Sequence, residues 1–462
     1  MRLSKDVLLC KCLVGFDQAY FFVFHPSVIA TFGKQSPLQR GECFAPLAMT
    51  GGKIGASMKL SKLASEIAES PTFALNEEAR LLKERGEPVI NLGIGEPRNK
   101  TPIAAVLASG AKLTSGEVKY TPPDGLPAMK KAVIRYTEEN YNRLAAPENV
   151  IVTNGAKQSL FNIFFSILNP QDEVIVIAPY WVSYPEIVKM CYGVPVIVTP
   201  EDGTFTPNFA EIERAVTSYT RALIVNSPNN PSGAIYPAEL IAKIVEFCER
   251  KGIYLICDDI YHKLTFDRNV AHPAWEFTKL DIENSHIIVV NGVAKLYGMT
   301  GFRIGWVVAP RDLVKVMTNV QAQTTSCVSP VSQAAAEGAL NGMQSVVEAL
   351  RLQIENNRNV VLQEMKSFNG ARLIPPQGTF YALPDLRAFG TSSVDMAKFL
   401  LKKSLVVTVP GKEFGMEGFI RLSFAGSVKD VTEGLARIRW ALDPTSPNEI
   451  YIGDKKLVRD WL

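Results

Sequence analysis

The chain has 462 residues, 47% hydrophobic and 21% charged, with a formal net charge of +3. Such a length exceeds the usual size of one core and calls for at least two domains. Such a charge is too small for a protein organised around nucleic acid or an acidic membrane surface. The excess sits in the first 57 residues, where six Lys/Arg face three Asp/Glu; the other 405 carry 43 of each sign.

The leader, residues 1–57, has no sustained helical or strand period. Lys11, Asp17 and Pro26 interrupt its apolar stretches, and no small-residue cleavage site follows an unbroken apolar core, which argues against a secretory signal. It is also poor in the Arg and Ser of an organellar transit peptide. We expect Met58 to be the physiological start, preceded by an upstream extension. Gly51-Gly52-Lys53 fits the product of a purine-rich ribosome-binding sequence, and a mature chain beginning near Met1 would contradict this expectation.

Beyond Met58 the pattern becomes regular. Thr72–Arg85 has helical spacing, with Ala74, Leu75, Ala79, Leu81 and Leu82 on one face and Gly86 as the stop. VINLGIGEP follows as a strand and a Gly-rich turn. Between about 149 and 310 come seven short apolar runs: NVIVTNG, DEVIVIAP, VPVIVTP, RALIVNSP, IYLICDD, HIIVVNG and IGWVVAP. Runs apolar almost throughout predict strands buried on both faces, hence a mostly parallel sheet covered by helices. After Ser329-Pro330 one long helical pattern is expected to about Phe368. Strand-like pieces (ARLIP, GTFYALPD, VVTVP, FIRLSFA) lead to a helix from about Lys429, striped by Val431, Leu435, Ile438 and Leu442. The expected organisation is a large α/β domain over 106–330. A smaller α+β domain is built from 58–105 and 331–442, and a tail, 443–462, has no assigned role. Cys191, Cys248, Cys257 and Cys327 are scattered singly, mostly in apolar runs, without disulfide or zinc spacing. No apolar run has the length of a membrane span. A cytoplasmic protein is expected.

Open α/β sheets bind ligands beyond the carboxyl ends of their strands. In VTNGAKQSLFNIFF a strand turns through Asn154-Gly155 into a helix near Ala156, whose free N–H groups suit a phosphate, although many such turns bind nothing. In IVNSPNNPSG, Asn229 and Asn230 precede Pro231 at a strand end. In YLICDDIYHKL, Asp258 follows a buried strand and would need a cation or a proton; Asp259 better suits a solvated loop acid or helix cap. Tyr261 would face the same way as Asp258 on a helical turn. NGVAKLYGMTGFRIGW places Lys295 and Arg303 in a run otherwise without charge. The ordinary readings are a surface lysine and a structural ion pair.

Together the strings YWVSYP (180–185), NSPNNPSG (226–233), DDIY (258–261) and NGVAKLYGMTGFRIGW (291–306) resemble those of class I/II aminotransferases. GIGEP (93–97), VKYTPPDGLPAMK (118–130) and IRLSFAGS (420–427) fall in the same order. The likeness spans about residues 60–442 and is nearest to bacterial-type aspartate aminotransferases of the aspartate/prephenate branch. It implies the pyridoxal-phosphate (PLP) transferase fold type I. By resemblance, Lys295 would form an imine with the cofactor aldehyde and carry the proton between substrate and cofactor. Asp258 would pair with the pyridine nitrogen, and Tyr261 and Asn230 would hydrogen-bond the phenolic oxygen. Arg303, the backbone at Ala156 and Lys157, and Tyr120 from a partner subunit would hold the phosphate. Trp181 would stack on the ring, and Arg421 would grip the substrate α-carboxylate, with Gly95 closing the site. A homodimer follows from the donated tyrosine.

This chain departs from the pattern at Ala294, where Ser is common, and in the basic turn Arg98–Lys100. It also has Ala68 where a lysine of the aspartate/prephenate enzymes would stand. The expected reaction is ping-pong transfer from an L-amino acid, aspartate first, to 2-oxoglutarate. The alternatives are aromatic, prephenate or alanine transfer, a lyase on the same fold, and a non-catalytic cofactor-binding regulator. The leader is too short and irregular to supply the DNA-binding domain such a regulator needs.

Overall fold

All seven apolar runs join one sheet in the computed structural model, which describes residues 60–67, 71–201, 204–390 and 392–461. Its strands are β1 (Val150–Thr153), β2 (Glu173–Ile177), β3 (Val194–Val198), β4 (Thr220–Val225), β5 (Tyr254–Asp258), β6 (Ile287–Gly292) and β7 (Gly305–Val308). Their order is β1-β7-β6-β5-β4-β2-β3. β7 runs antiparallel to both neighbours, and every other pairing is parallel.

Alternation along the strands explains why the runs are apolar throughout. Ile151, Val174, Ile224, Ile256 and Val290 enter one core, while Val152, Ile175, Leu223, Leu255 and Val289 enter the other. Along six strands neither face meets water beyond the first residues, so neither can be polar; the edge strand β3 departs from the expected burial on both faces, with Val194 37% and Ile197 40% exposed. The helix Ala156–Ile167 covers the first face through Leu160, Ile163 and Phe164. The helices Pro127–Tyr141 and Ala238–Lys251 cover the second.

Outside the sheet, Ile90–Asn91 pairs in parallel with Val406–Val407, and Ile420–Ser423 lies between Val409–Pro410 and Tyr381–Ala382. These short pairings bring Gly93, Gly95, Tyr381 and Arg421 to the carboxyl edge of the large sheet.

The fold corrects some expectations. Leu81 is 41% exposed and does not share the buried face of Leu75 and Ala79 in the helix Pro71–Glu84. The single long helix after Ser329 is two, Pro330–Asn341 and Ser345–Lys366. The first is held close to the helix Ile103–Thr114, since a Cβ at Gly338 would stand 2.6 Å from the Ala104 carbonyl oxygen, and the chain turns at Gly342. Residues 443–462 are not featureless. Glu449–Ile452 and Lys455–Val458 form a hairpin, and Trp461 packs edge-on against Phe399 and Trp440. Lys455 pairs with Glu87 and Lys403 with Asp460. The leader, Met58 and Ala68 lie outside the described residues. No helix among the described residues is long and apolar enough to cross a membrane.

Candidate active site

β4, β5 and β6 end side by side, and the residues that follow each strand converge. Asp258 closes β5 and is 4% exposed. Its Oδ2 accepts a hydrogen bond from the Tyr184 hydroxyl at 2.6 Å, while Oδ1 has no partner among the described residues. Burial pushes this carboxyl up to about 6, opposed by the Tyr184 and Ile260 hydrogen bonds and by the charge of Lys295. A buried carboxylate with one bare oxygen is matched to a ligand that brings an N–H or a positive charge.

The asparagine string divides its labour. Asn226 donates through Nδ2 to the Asp258 carbonyl (2.7 Å), and its Oδ1 accepts from the Asn230 N–H (2.8 Å). Asn230 thereby presents its side chain to Arg421, whose Nη1 donates to Asn230 Oδ1 at 3.2 Å. Asn229 turns away, donating to the Pro179 carbonyl and accepting from Ser232, and serves the turn itself.

Arg421 is buried without an acidic partner among the described residues. Its Nη2 donates to the Gly93 carbonyl at 2.9 Å, and its guanidinium carbon lies 4.5 Å from the Tyr381 ring centre and 4.9 Å from that of Phe414. Its Nε is unpartnered. Burial lowers its proton affinity, and the arrangement is a fixed cation waiting for an anion. Tyr261 is also buried, its hydroxyl 3.4 Å from that of Tyr381.

Lys295 lies three residues beyond the end of β6. Its Nζ donates to the Gly95 carbonyl at 2.6 Å and sits 5.8 Å from the Phe380 ring centre. A Cβ at Gly95 would stand 2.8 Å from the Tyr381 hydroxyl, so a larger residue there would displace that side chain.

The turn after β1 makes the second half of the site. Gly155 has φ +82°, and it opens the helix Ala156–Ile167. The N–H groups of Ala156 and Lys157 lie in the first turn, where no carbonyl one turn earlier exists to receive them. A Cβ at Gly155 would stand 2.5 Å from Arg303 Nη2, and one at Gly305 2.4 Å from the Ala156 nitrogen. Arg303, exposed and at φ +55°, donates to the Thr300 carbonyl at 2.9 Å and forms no ion pair among the described residues. Lys157 Nζ lies 4.9 Å from the Trp181 ring centre. Burial, then the charges of Arg303 and Lys295, lower its proton affinity. Three cations thus act on one another with no acid paired to any of them. Such a corner, with helix N–H groups and Gly155 between them, suits a dianionic phosphate. The bare Asp258 oxygen suits a protonated ring nitrogen.

Trp181 lies edge-on to Tyr184, with ring centres 5.4 Å apart. Tyr120 is 91% exposed, with no hydrogen bond or ring contact to the site of its own chain among the described residues. Asp259, expected to be solvated, is 8% exposed. Strand alternation sends it to the face opposite Asp258, beneath the helix Pro127–Tyr141, where Tyr141 hydrogen-bonds it. Burial and the Asp258 charge push it up to about 7. Sequence reasoning assigned no role to Tyr184, Asn226, Phe414 and Tyr381. Tyr184 and Asn226 stood inside quoted motifs, but their partners are remote in sequence.

The family described as Aminotransferase class I and II matches residues 87–438. The chain is 38% identical over 387 residues to a probable aspartate/prephenate aminotransferase of Thermus aquaticus, covering 83% of this chain and 99% of that one. It is 37% identical over 387 residues to an aspartate aminotransferase of Geobacillus stearothermophilus, covering 82% and 98%. The solved aspartate aminotransferase of Thermotoga maritima matches with a TM-score of 0.78 at 35% identity, over 82% of this chain and 99% of that one. That of Rhizobium meliloti matches with 0.79 at 35% identity, over 83% and 99%.

Proposed function

Since the chain belongs to the class I and II aminotransferases, PLP-dependent enzymes of fold type I, we propose that it transfers the amino group of L-aspartate to a 2-oxo acid such as 2-oxoglutarate. The observation that carries the dicarboxylic substrate is the surplus of positive charge. Lys157, Arg303, Lys295 and Arg421 face one region, and none has an acidic partner among the described residues. Arg303 with the helix N–H groups answers the phosphate, Lys295 is taken up in holding the cofactor, and the substrate α-carboxylate answers Arg421. The ammonium of Lys157 remains for a second substrate carboxylate.

Bound PLP supplies the electron sink for the carbanion at the substrate α-carbon. Lys295 Nζ would hold the cofactor, then take the α-proton and return it. Asp258 would keep the ring nitrogen protonated, held in place by Tyr184 and Asn226. Tyr261 and Asn230 would donate to the phenolic oxygen, and Trp181 would flank the ring. Arg303 and the N–H groups of Ala156 and Lys157 would bind phosphate. Arg421 would clasp the α-carboxylate under the loop at Gly95. Tyr120 would complete the phosphate site of a second copy, making a homodimer the working unit. The free thiols Cys191, Cys248 and Cys257, all buried, and the partly buried Cys327 support a reducing, cytoplasmic setting.

Single-turnover absorbance changes of the holoenzyme, mixed in turn with amino acids, test the reading. L-Aspartate should convert the cofactor fastest, and Lys295→Ala should abolish the lysine-linked band. A faster reaction with an aromatic amino acid or alanine would replace the substrate assignment; a retained band in Lys295→Ala would remove the lysine from its role.

A further inference from the structure

Tyr381 belongs to no role so far described, yet it touches Arg421, Tyr261 and Gly95. It is 1% exposed and fixed by the pairing of Tyr381–Ala382 with Ile420–Ser423, the strand that carries Arg421. Its ring lies under the Arg421 guanidinium, 4.5 Å from ring centre to Cζ. Its hydroxyl is 3.4 Å from that of Tyr261 and abuts Gly95, whose carbonyl receives Lys295.

Proton inventory favours one direction of the phenol–phenol bond. The two hydroxyls carry two donors, and among the described residues each has the other as its hydrogen-bond partner. One donor is used between them and one is left for a ligand. If Tyr261 donated, the spare proton would belong to Tyr381, whose hydroxyl is 2.8 Å from where a Cβ of Gly95 would stand and has no acceptor but Tyr261 among the described residues. If Tyr381 donates, Tyr261 keeps its proton for the site. Burial and the neighbouring Tyr381 raise the Tyr261 phenol well above its usual range, which keeps that proton in place.

We propose that Tyr381 is a positioning residue for the transfer: its hydroxyl donates to Tyr261, and its ring carries Arg421. One rigid side chain then sets the spacing between the cofactor's phenolic oxygen and the clasp on the substrate carboxylate. The hydroxyl acts by polarising Tyr261, because a phenol that accepts a hydrogen bond is a stronger donor. The ring acts by holding the guanidinium flat, through cation–π contact, against the second ring of Phe414. This inference rests on the site reading above.

The two functions separate in two variants. Tyr381→Phe keeps the ring and loses the donor. Tyr261 then donates less strongly and more charge stays on the cofactor oxygen. The pH midpoint of the holoenzyme's visible absorbance should rise by about half a unit. The KM for aspartate should stay within about twofold. Tyr381→Leu loses the ring as well, and KM for aspartate and 2-oxoglutarate should rise at least about tenfold. In a Tyr261→Phe background, Tyr381→Phe should no longer move the midpoint. An unmoved midpoint in Tyr381→Phe, an equal shift in the Tyr261→Phe background, or an unchanged KM in Tyr381→Leu would overturn the proposal while the site reading stands. An unmodified protein without a visible cofactor band would overturn both.

Discussion

Asp258 and Asp259 are neighbours in sequence whose carboxyls lie on opposite faces of the sheet, and their environments make opposite demands. Asp258 has a bare oxygen toward the site. Asp259 has Tyr141 and a second oxygen without a partner. In the cofactor-free protein both titrate above their unfolded value of 3.8, toward about 6 and about 7. Groups raised on folding bind protons more tightly in the native state, so they support it fully below about pH 4 and lose that support as pH rises toward 7. Asp259→Asn should therefore stabilise the cofactor-free protein by roughly 1–3 kcal/mol at pH 8 and change little at pH 4. Urea unfolding at the two pH values measures this, and equal changes at both would show that Asp259 is not buried as a charge. Lys157→Met leaves the backbone N–H groups intact and removes the ammonium. It should raise KM for aspartate and 2-oxoglutarate about 10–100-fold, the loss of one charge-assisted hydrogen bond, while alanine turnover shifts far less. A parallel loss with alanine would assign Lys157 to the phosphate alone. At this scale the sequence was informative where a polar residue directly follows a buried strand. Asp258 and Lys295 stand out because their runs are otherwise apolar. Tyr184 and Tyr381 do not, since a helix and a two-residue strand carry them to the site from far along the chain.

Among the elements, the helix Ala156–Ile167 depends most on close approach. Its first turn lies against β7 with room for hydrogen only, as the 2.4 Å separation at Gly305 shows. Gly305→Ala must displace the helix start or the strand. Reconstitution of the cofactor-free variant should need at least about tenfold more PLP, because misplaced N–H groups lose directional hydrogen bonds to phosphate. Affinity equal to the unmodified protein would mean that the helix start does not hold the phosphate. Six strands were legible because burial on both faces leaves few polar residues to blur them; β3 was legible by its apolar run alone, although its edge position leaves Val194 and Ile197 exposed. The break at Gly342 was not, since apolar spacing continues on both sides and the turn is set by contact with the helix Ile103–Thr114. The tail hairpin was hidden for a different reason: its residues from Glu449 to Val458 are exposed or half-buried, so no core face marks them.

For the whole molecule the open question is how many chains make one site. Tyr120 stands in a stretch, 113–120, that is exposed throughout. If it serves a second copy, the two halves of a site can be damaged in different chains and recombined. Tyr120→Phe and Lys295→Ala, each impaired alone, should regain activity when unfolded and refolded together. Mixed dimers then carry one site with both native residues. A mixture no more active than its components would place Tyr120 outside the partner's site.

The hydrogen bond from Lys295 to the Gly95 carbonyl has a consequence for timing. It joins the amine at the sheet edge to the loop that begins just after Asn91, and Arg421 holds the same loop at Gly93. Whatever draws the amine elsewhere loosens one of these two moorings, and by reciprocity a displaced loop makes the amine easier to draw away. Loop opening and release of the amine therefore favour one another, like two latches on one bolt.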